Sequence, residues 1–260
     1  MINTNTSIAS TLSELYTSTG AQETQLMSQI ASGKRVQNPS DDFAAYVKAQ
    51  TLNGDIASQQ TLAQGITAAQ GMATYATQVG NNIASDLTQL QNLQAAYTAA
   101  NGDATQQASL TAQYNSVVAQ ITDTTTNSMY NGTAVYSTTA LTTANVNTSG
   151  GTIAVKASAI GGTTGISNIT TAVASDIQNE INNAQAYVSD MGSVGNELTQ
   201  ASALSDTIIS TDQASVSALT DDNEAEDMTN LTNLQVRQQA IVSMMSQANT
   251  SQAGIARLFS

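Results

Sequence analysis

The sequence predicts a mainly α protein: a long helical bundle or coiled-coil rod with paired terminal helices and a small β-hairpin region. Three observations indicate this class. Apolar residues recur at helical spacing over most of the chain, Pro39 is the only proline, and apart from short breaks the helical pattern is absent only from a middle segment rich in Thr, Val and Gly. Periodic stretches of this length are typical of bundles and coiled coils.

The N-terminal segment, residues 1–40, predicts one helix and a break. Its apolar stripe consists of Ile8, Leu12, Leu15, Leu26 and Ile30. The helix should end near Gly33, because Pro39 disfavours helical geometry at the residue before it. Ser40 or Asp41 is then placed to cap the next helix.

Residues 41–128 predict the helices of a rod. No proline occurs between Asp41 and Ala99. The apolar positions there step at close to the helical repeat: Met72, Tyr75, Val79, Ile83, Leu87 and Leu90. A helix of that extent would be roughly 85–90 Å long. Asn101-Gly102 indicates a turn, and a shorter helix follows it.

Residues 129–170 predict the β-hairpin region, and residues 171–220 predict a returning rod helix. Asn131-Gly132 is a strong hairpin signal. The run from Thr152 to Ile160 is typical of a strand. The returning helix has apolar residues three and four apart, namely Val173, Ile177, Ile181, Ala184, Val188 and Met191.

The last segment, residues 221–260, predicts a helix with a coiled-coil seam. After the acidic run 221–227, a strict spacing of three and four residues connects Leu231, Leu234, Gln238, Ile241, Met245, Ala248, Gln252, Ile255 and Phe259. Such a seam indicates packing against another helix along its whole length. Because the two halves of the chain run outward and back, both termini should lie at one end of the rod.

The terminal helices carry narrow stripes that cannot bury a core alone, so we expect them to order on assembly into an open, heterologous polymer. The expected polymerisation seam joins the stripes of both terminal segments. It consists of Ile8, Leu12, Leu15, Leu26, Ile30, Leu231, Leu234, Ile241, Met245, Ala248, Ile255 and Phe259.

Composition excludes several classes of function. The chain has no Cys and no His, which removes Cys/His zinc sites, disulfides, a His base and a Cys nucleophile. Six basic residues and a net charge of -13 argue against nucleic acid and anionic membrane surfaces as partners. The sequence shows neither a Sec signal nor a transmembrane stretch. We therefore expect no enzyme activity, no cofactor and no metal.

The acidic run between the two helical segments lacks the spacing of an EF-hand Ca²⁺ loop, which leaves two interpretations besides a Ca²⁺ site of another kind. One is ion pairing of Lys34 and Arg35 with carboxylates such as Asp222 and Glu224, since both segments lie at breaks next to the terminal helices. The other is a solvated linker. If exposed, such pairs contribute only about 0–1 kcal/mol. The adjacent Asp41 and Asp42 are interpreted as capping residues rather than catalytic carboxylates.

Several short motifs, in order along the chain, resemble those of bacterial flagellins. The matching residues are 2–5 at the start, 32–36 with 40–42 at the first break, 129–132 at the hairpin, 222–227 with 230–232 and 238–240, and 246–249 with 258–259 at the end. Each motif alone is weak evidence of a relationship. Their order at both ends of a chain that doubles back makes the resemblance specific over essentially its full length.

The resemblance implies a secreted structural subunit of the bacterial flagellar filament, used in swimming. Flagellins pass unfolded through the flagellar type III export apparatus with the help of a chaperone. They polymerise under a filament cap, alone or with sibling flagellins, beyond the hook-associated proteins. Their paired terminal helices form the inner tube and their long helices the outer tube. The hook–filament junction protein is the alternative, since residues 33–42 are also typical of it. The C-terminal pattern and the short middle segment favour flagellin.

Overall fold

The computed structural model describes residues 2–136, 142–155 and 165–258. Across these residues the chain forms five helices and four short strands, so the predicted mainly α class is confirmed. Packing divides the chain into two compact units. The terminal unit comprises Met1–Gly54 and Thr211–Ser260, and the central unit comprises Asp55–Ser210.

The helices follow the predicted apolar periodicity. They are α1 (Ile2–Ser32), α2 (Phe43–Ala99), α3 (Ala104–Asn127), α4 (Ala174–Thr220) and α5 (Glu224–Leu258). With 57 residues, α2 is about 85 Å long. The segment boundaries expected near residues 40, 128, 170 and 220 fall between these elements. The division into two units instead cuts α2 and α4 within their length.

The strands form two separate antiparallel pairs. β1 (Met129–Tyr130) pairs with β2 (Thr133–Ala134), and β3 (Thr142–Asn145) pairs with β4 (Thr152–Val155). The first pair is closed by Asn131 and Gly132, whose φ angles of 49° and 77° place both in the left-handed region. This is the two-residue hairpin that Asn-Gly predicts. Of the expected strand over 152–160, residues 156–160 lie outside the described part.

A carboxylate caps the start of α2. Asp42 Oδ1 accepts a hydrogen bond of 3.0 Å from the N–H of Ala45. Asp41 Oδ2 instead accepts from the N–H groups of Gln37 and Asn38, at 3.0 and 2.9 Å. The prediction that Ser40 or Asp41 caps α2 is therefore wrong, because the preceding turn already binds the Asp41 carboxylate. These two backbone donors also lower the pKa of Asp41, that of Asn38 most.

The central unit is built around one continuous hydrophobic core. α2, α3 and α4 all contribute to it. Its largest fully buried side chains are Ile66, Ile83, Leu87, Leu90, Tyr114, Ile121, Ile166, Ile169, Ile177, Met191 and Leu198. At Gly80, α2 and α4 approach so closely that an added Cβ would lie 2.7 Å from Val188 Cγ2. The stripe predicted for α2 thus faces a true core.

Two tyrosine hydroxyls tie non-helical segments to this core. Tyr114 donates to the carbonyl of Ile166 at 2.6 Å, and Tyr187 donates to the carbonyl of Val135. Each bond satisfies a buried backbone acceptor, as buried polar groups require. Burial raises the pKa of both phenols, that of Tyr187 to about 12.

Candidate functional site

The terminal unit contains the helix pair that the sequence singled out. α1 packs against α5. On α5, the side chains withdrawn from solvent between residues 231 and 250 are Leu231, Leu234, Gln238, Ile241, Met245 and Ala248, and every residue between them is exposed. These are the positions of the predicted seam. Ile241 is fully buried, with 0% of its surface exposed.

The facing stripe on α1 is less complete. Leu12, Leu26 and Ile30 are half-buried, whereas Ile8 and Leu15 are exposed. These five are the whole α1 seam expected from the sequence, and three of them are withdrawn from solvent. The side chain of Ile255 and the whole of Phe259 lie outside the part of the chain that the structure describes.

The deepest side chain of α1 is polar. Thr19 is buried, and its hydroxyl donates to the carbonyl of Leu15 at 2.8 Å. The bond satisfies the hydroxyl within its own helix, so Thr19 can occupy the seam without a partner on α5. The seam thus joins α1 to α5 within one chain.

The terminal unit also exposes large apolar side chains, most of them outside the predicted seam. Exposed large apolar side chains of the terminal unit are Ile8, Leu15, Tyr16 and Met27 on α1, Phe43 and Val47 on α2, and Met228, Val236, Val242 and Met244 on α5. We call these ten residues the apolar shell. Sequence reasoning identified only Ile8 and Leu15 among them, because it followed the seam repeat. The signal that would have identified the other eight is an apolar residue at a helix position where the repeat favours a polar one.

Two open grooves lie on the helix pair. One has a volume of about 790 Å³ and is lined by Tyr16, Val242 and Met245 together with residues near the end of α5. The other, of about 470 Å³, is lined mainly by side-chain amides, including Gln22, Gln25 and Asn233. Apolar packing and amide hydrogen bonds suit contact with protein.

The break between α1 and α2 is held to the break between α4 and α5 by backbone bonds. Thr220 O accepts from the N–H groups of Arg35 and Val36 at 2.8 and 3.3 Å. Asp222 N–H donates to Gly33 O at 3.1 Å. Lys34 and Asp221 form an isolated antiparallel bridge. The two segments are therefore in contact, as the sequence suggested.

The charged side chains at this junction pair differently from the expectation. Arg35 Nη1 lies 3.7 Å from Asp42 Oδ2, and the two side chains form a salt bridge. Arg35 Nη2 donates to Leu219 O at 3.0 Å. The expected pairing of Lys34 and Arg35 with Asp222 and Glu224 is thus corrected: main-chain bonds join the segments.

The physical reason is competition for the guanidinium. A backbone carbonyl and a nearer carboxylate already bind Arg35, so a carboxylate of the acidic run gains nothing by displacing them. Since both partners in the salt bridge are exposed, it contributes at most about 1 kcal/mol.

Two carboxyl groups lie close together at the start of α5. Asp222 Oδ2 is buried without a hydrogen-bond partner. The pKa of Asp227 is raised, first by burial, then by the carboxyl of Asp222 beside it and the charge of Glu226, while Asn230 opposes the shift. A protonated Asp227 carboxyl would be able to donate to the buried oxygen of Asp222 and so give it the partner that it lacks.

The described ranges contain no group of three or more acidic side chains placed to hold a metal ion. Nor does any helix within them combine the length and apolarity needed to cross a membrane.

Comparison with known proteins agrees with the helical organisation. The family "Bacterial flagellin N-terminal helical region" matches residues 2–140, and "Bacterial flagellin C-terminal helical region" matches residues 174–259. Similar proteins include Flagellin FljM of Caulobacter vibrioides, 27% identical, and Flagellin FljK of the same organism, 28% identical. Each alignment covers 99% of this chain and 98% of the relative.

These matches favour a filament flagellin over the hook–filament junction protein, because both relatives are named flagellins and match along their whole length. Flagellins are structural proteins that polymerise into the extracellular flagellar filament. The chain belongs to the bacterial flagellin family and is a structural subunit of the flagellar filament.

Proposed function

We propose that this subunit joins the filament through the apolar shell of its terminal unit, while the seam between α1 and α5 holds each subunit's helix pair together. One observation carries the proposal. Exposed large apolar side chains concentrate on the terminal unit, and the central unit exposes only Met129, Val173 and Leu204 among those described. A concentration of exposed apolar side chains is typical of interaction sites.

The exposed apolar side chains of α5 lie on more than one face of the helix. Val242 and Met244 lie on either side of the seam in helical projection, and Val236 lies nearly opposite it. Large apolar side chains on several faces of one helix are normally covered by neighbours. Covering one half-exposed side chain of this size contributes about 1 kcal/mol. A subunit with neighbours on several sides gains this contribution many times.

The groove beside Tyr16 is where we place an apolar side chain of the adjacent subunit. Its lining by Tyr16, Val242 and Met245 carries no charge. A groove filled by a different part of an identical chain is a heterologous contact, which propagates instead of closing into a dimer. Such a contact fits a helical polymer.

Family membership supports the remaining assignments. We propose export of the unfolded chain through the flagellar type III apparatus with a dedicated chaperone, followed by assembly under the filament cap and beyond the hook-associated proteins. Sibling flagellins are further candidates for co-assembly. The swimming role follows from the same membership. We propose no catalytic activity, and neither nucleic acid nor membrane is a proposed partner, in line with the net charge of -13.

Seeded polymerisation tests the function. Purified chain is mixed with short sheared filament seeds and examined by electron microscopy. Long tubes of uniform diameter are expected. Subunits that stay single, or add only a short collar to hook fragments, would move the assignment to the junction protein.

A matched pair of variants tests the surface. Val236 is 61% exposed, so Val236→Asp should leave the subunit folded and block elongation. Gln235→Asp adds the same charge at the adjacent exposed position and should elongate nearly normally. Equal elongation by both variants would show that the apolar shell does not carry assembly.

A further inference from the structure

The chain contains the dipeptide Asn-Gly three times, in three different backbone environments. Asn53-Gly54 lies inside α2, Asn101-Gly102 forms the turn between α2 and α3, and Asn131-Gly132 closes the β1–β2 hairpin. All three Asn side chains are exposed. The chemistry of the three pairs is identical, so any difference in reactivity must come from the backbone.

Asn-Gly is the pair most prone to spontaneous deamidation. The backbone nitrogen of the glycine attacks the side-chain carbonyl carbon of the asparagine, and the C–N bond of the asparagine side-chain amide breaks. A five-membered succinimide forms and ammonia leaves. Water then opens the ring at either carbonyl, giving aspartate or isoaspartate. Glycine favours the attack because it has no Cβ and allows wide rotation.

The attack requires a glycine N–H that is not engaged in a hydrogen bond. Within α2 the N–H of Gly54 belongs to the repeating helical ladder. It can attack only after the helix opens locally, and such opening is rare in the interior of a long helix. Asn53 should therefore be protected although it is exposed.

The turn between α2 and α3 imposes no such protection. Asp103 N–H donates to Ala100 O at 3.0 Å, which leaves Asn101 and Gly102 at the two central positions. Gly102 has a φ of 96°, a conformation that glycine adopts without strain. Within the described residues, no hydrogen bond engages the Gly102 N–H. The nucleophile and the amide are both exposed and adjacent.

The hairpin turn should give its Asn-Gly pair intermediate protection from deamidation. Asn131 and Gly132 are both held at positive φ, and the pairing of Tyr130 with Thr133 closes the turn. Within the described residues the Gly132 N–H, like that of Gly102, has no hydrogen-bond partner, so protection here comes from the paired strands, which restrain the backbone rotation that brings the Asn131 side chain to the glycine nitrogen. Because each strand has two residues, opening is easier than in α2.

We propose that Asn101 is a self-modification site of this protein, at which water is the only co-reactant and aspartate or isoaspartate is the product. The product places a new carboxylate beside Asp103, which caps α3 by accepting from the N–H groups of Thr105 and Gln106. It also lies past the C-terminal end of α2, where negative charge is unfavourable. Isoaspartate additionally lengthens the main chain by one atom within the turn.

The test is a time course of the full-length folded chain in mildly alkaline buffer, followed by peptide mass spectrometry at all three sites. Replacing an amide NH₂ by OH gives a small, site-assignable mass gain. Isoaspartate is detected independently by labelling with protein isoaspartyl methyltransferase. Asn101 should react at least about tenfold faster than Asn53, with Asn131 between them.

The same chain in concentrated urea provides the control, because the three rates should converge once the backbone differences are lost. Asn101→Gln should abolish both the mass gain in that peptide and most of the label. Equal rates at Asn101 and Asn53 in the folded chain, or a faster reaction at Asn131, would overturn the proposal.

Discussion

Ile241 offers the sharpest test of the helix pair. Its side chain is fully buried (0% exposed) at the centre of the described α5 seam, whereas its neighbour Val242 is 52% exposed. We expect Ile241→Ala to loosen α1 from α5, and Val242→Ala to leave the pair intact.

The magnitude follows from the atoms removed. Ile241→Ala deletes three carbon atoms, which at about 0.8 kcal/mol each loses about 2.4 kcal/mol of burial. A cavity adds to this loss, while the better helix propensity of Ala offsets roughly 0.4 kcal/mol. Because Leu234 and Met245 are only half-buried, the site can relax, so we expect a net loss of about 2–3 kcal/mol.

Hydrogen exchange followed by mass spectrometry measures this loss. Amide protection in α1 and α5 should fall by about 30- to 150-fold in the variant, since each 1.4 kcal/mol corresponds to a factor of ten. Peptides from the central-unit core serve as the internal control and should not change. Val242→Ala should stay within about 0.5 kcal/mol of the wild type.

Two results would refute this reasoning. Equal protection in both variants would mean that the seam does not hold α1 to α5. Absence of protection in α1 and α5 of the wild-type monomer would mean that the pair forms only on assembly, which is what the narrow stripes suggested from sequence alone.

Three further predictions concern other parts of the fold. Gly80→Ala should lower the free energy of unfolding of the central unit by about 1–3 kcal/mol in urea, because the new methyl group overlaps α4. Gly65→Ala is the control. Nothing lies within 4 Å of its new Cβ, so it should raise the same free energy by about 0.5–1 kcal/mol. Tyr187→Phe should cost about 1–2 kcal/mol by orphaning a buried carbonyl, and absorbance titration of the wild type should show one phenol ionising at about 12. The pKa of Asp227 is raised in the folded chain, so its contribution to stability is present below pH 3.8 and is lost as pH rises through the folded pKa. Asp222→Asn removes one cause of that shift, so it should flatten the pH dependence of amide hydrogen-exchange protection in the terminal unit above pH 3.8. An unchanged dependence of protection on pH would contradict the carboxyl pair.

Local patterns explain what the sequence could predict. The helical repeat places apolar residues on one face regardless of the partner, so the seam from Leu231 to Ala248 matches burial position by position. Likewise, Asn131-Gly132 specifies a hairpin turn because few other residues tolerate both positive φ angles.

Choices among nearby partners could not be predicted in the same way. Arg35 had several carboxylates within reach along the chain, and its geometry selected Asp42 and a carbonyl of α4. Asp41 and Asp42 are chemically identical, and only the turn around Pro39 decides which one caps α2. Such outcomes depend on rotamers and distances that sequence spacing does not contain.

The terminal unit combines a narrow internal seam with a large apolar shell, and these two features have one joint consequence. The seam has a single fully buried large apolar side chain, Ile241, on the described part of α5, so burial within the pair gives it only a few kcal/mol of stability. Neighbouring subunits that cover the shell bind only the folded pair, and by mass action they stabilise it. Folding of the terminal helices and growth of the filament are then one coupled equilibrium. Shell variants such as Val236→Asp should therefore weaken the polymer without weakening the free subunit, whereas Ile241→Ala should weaken both.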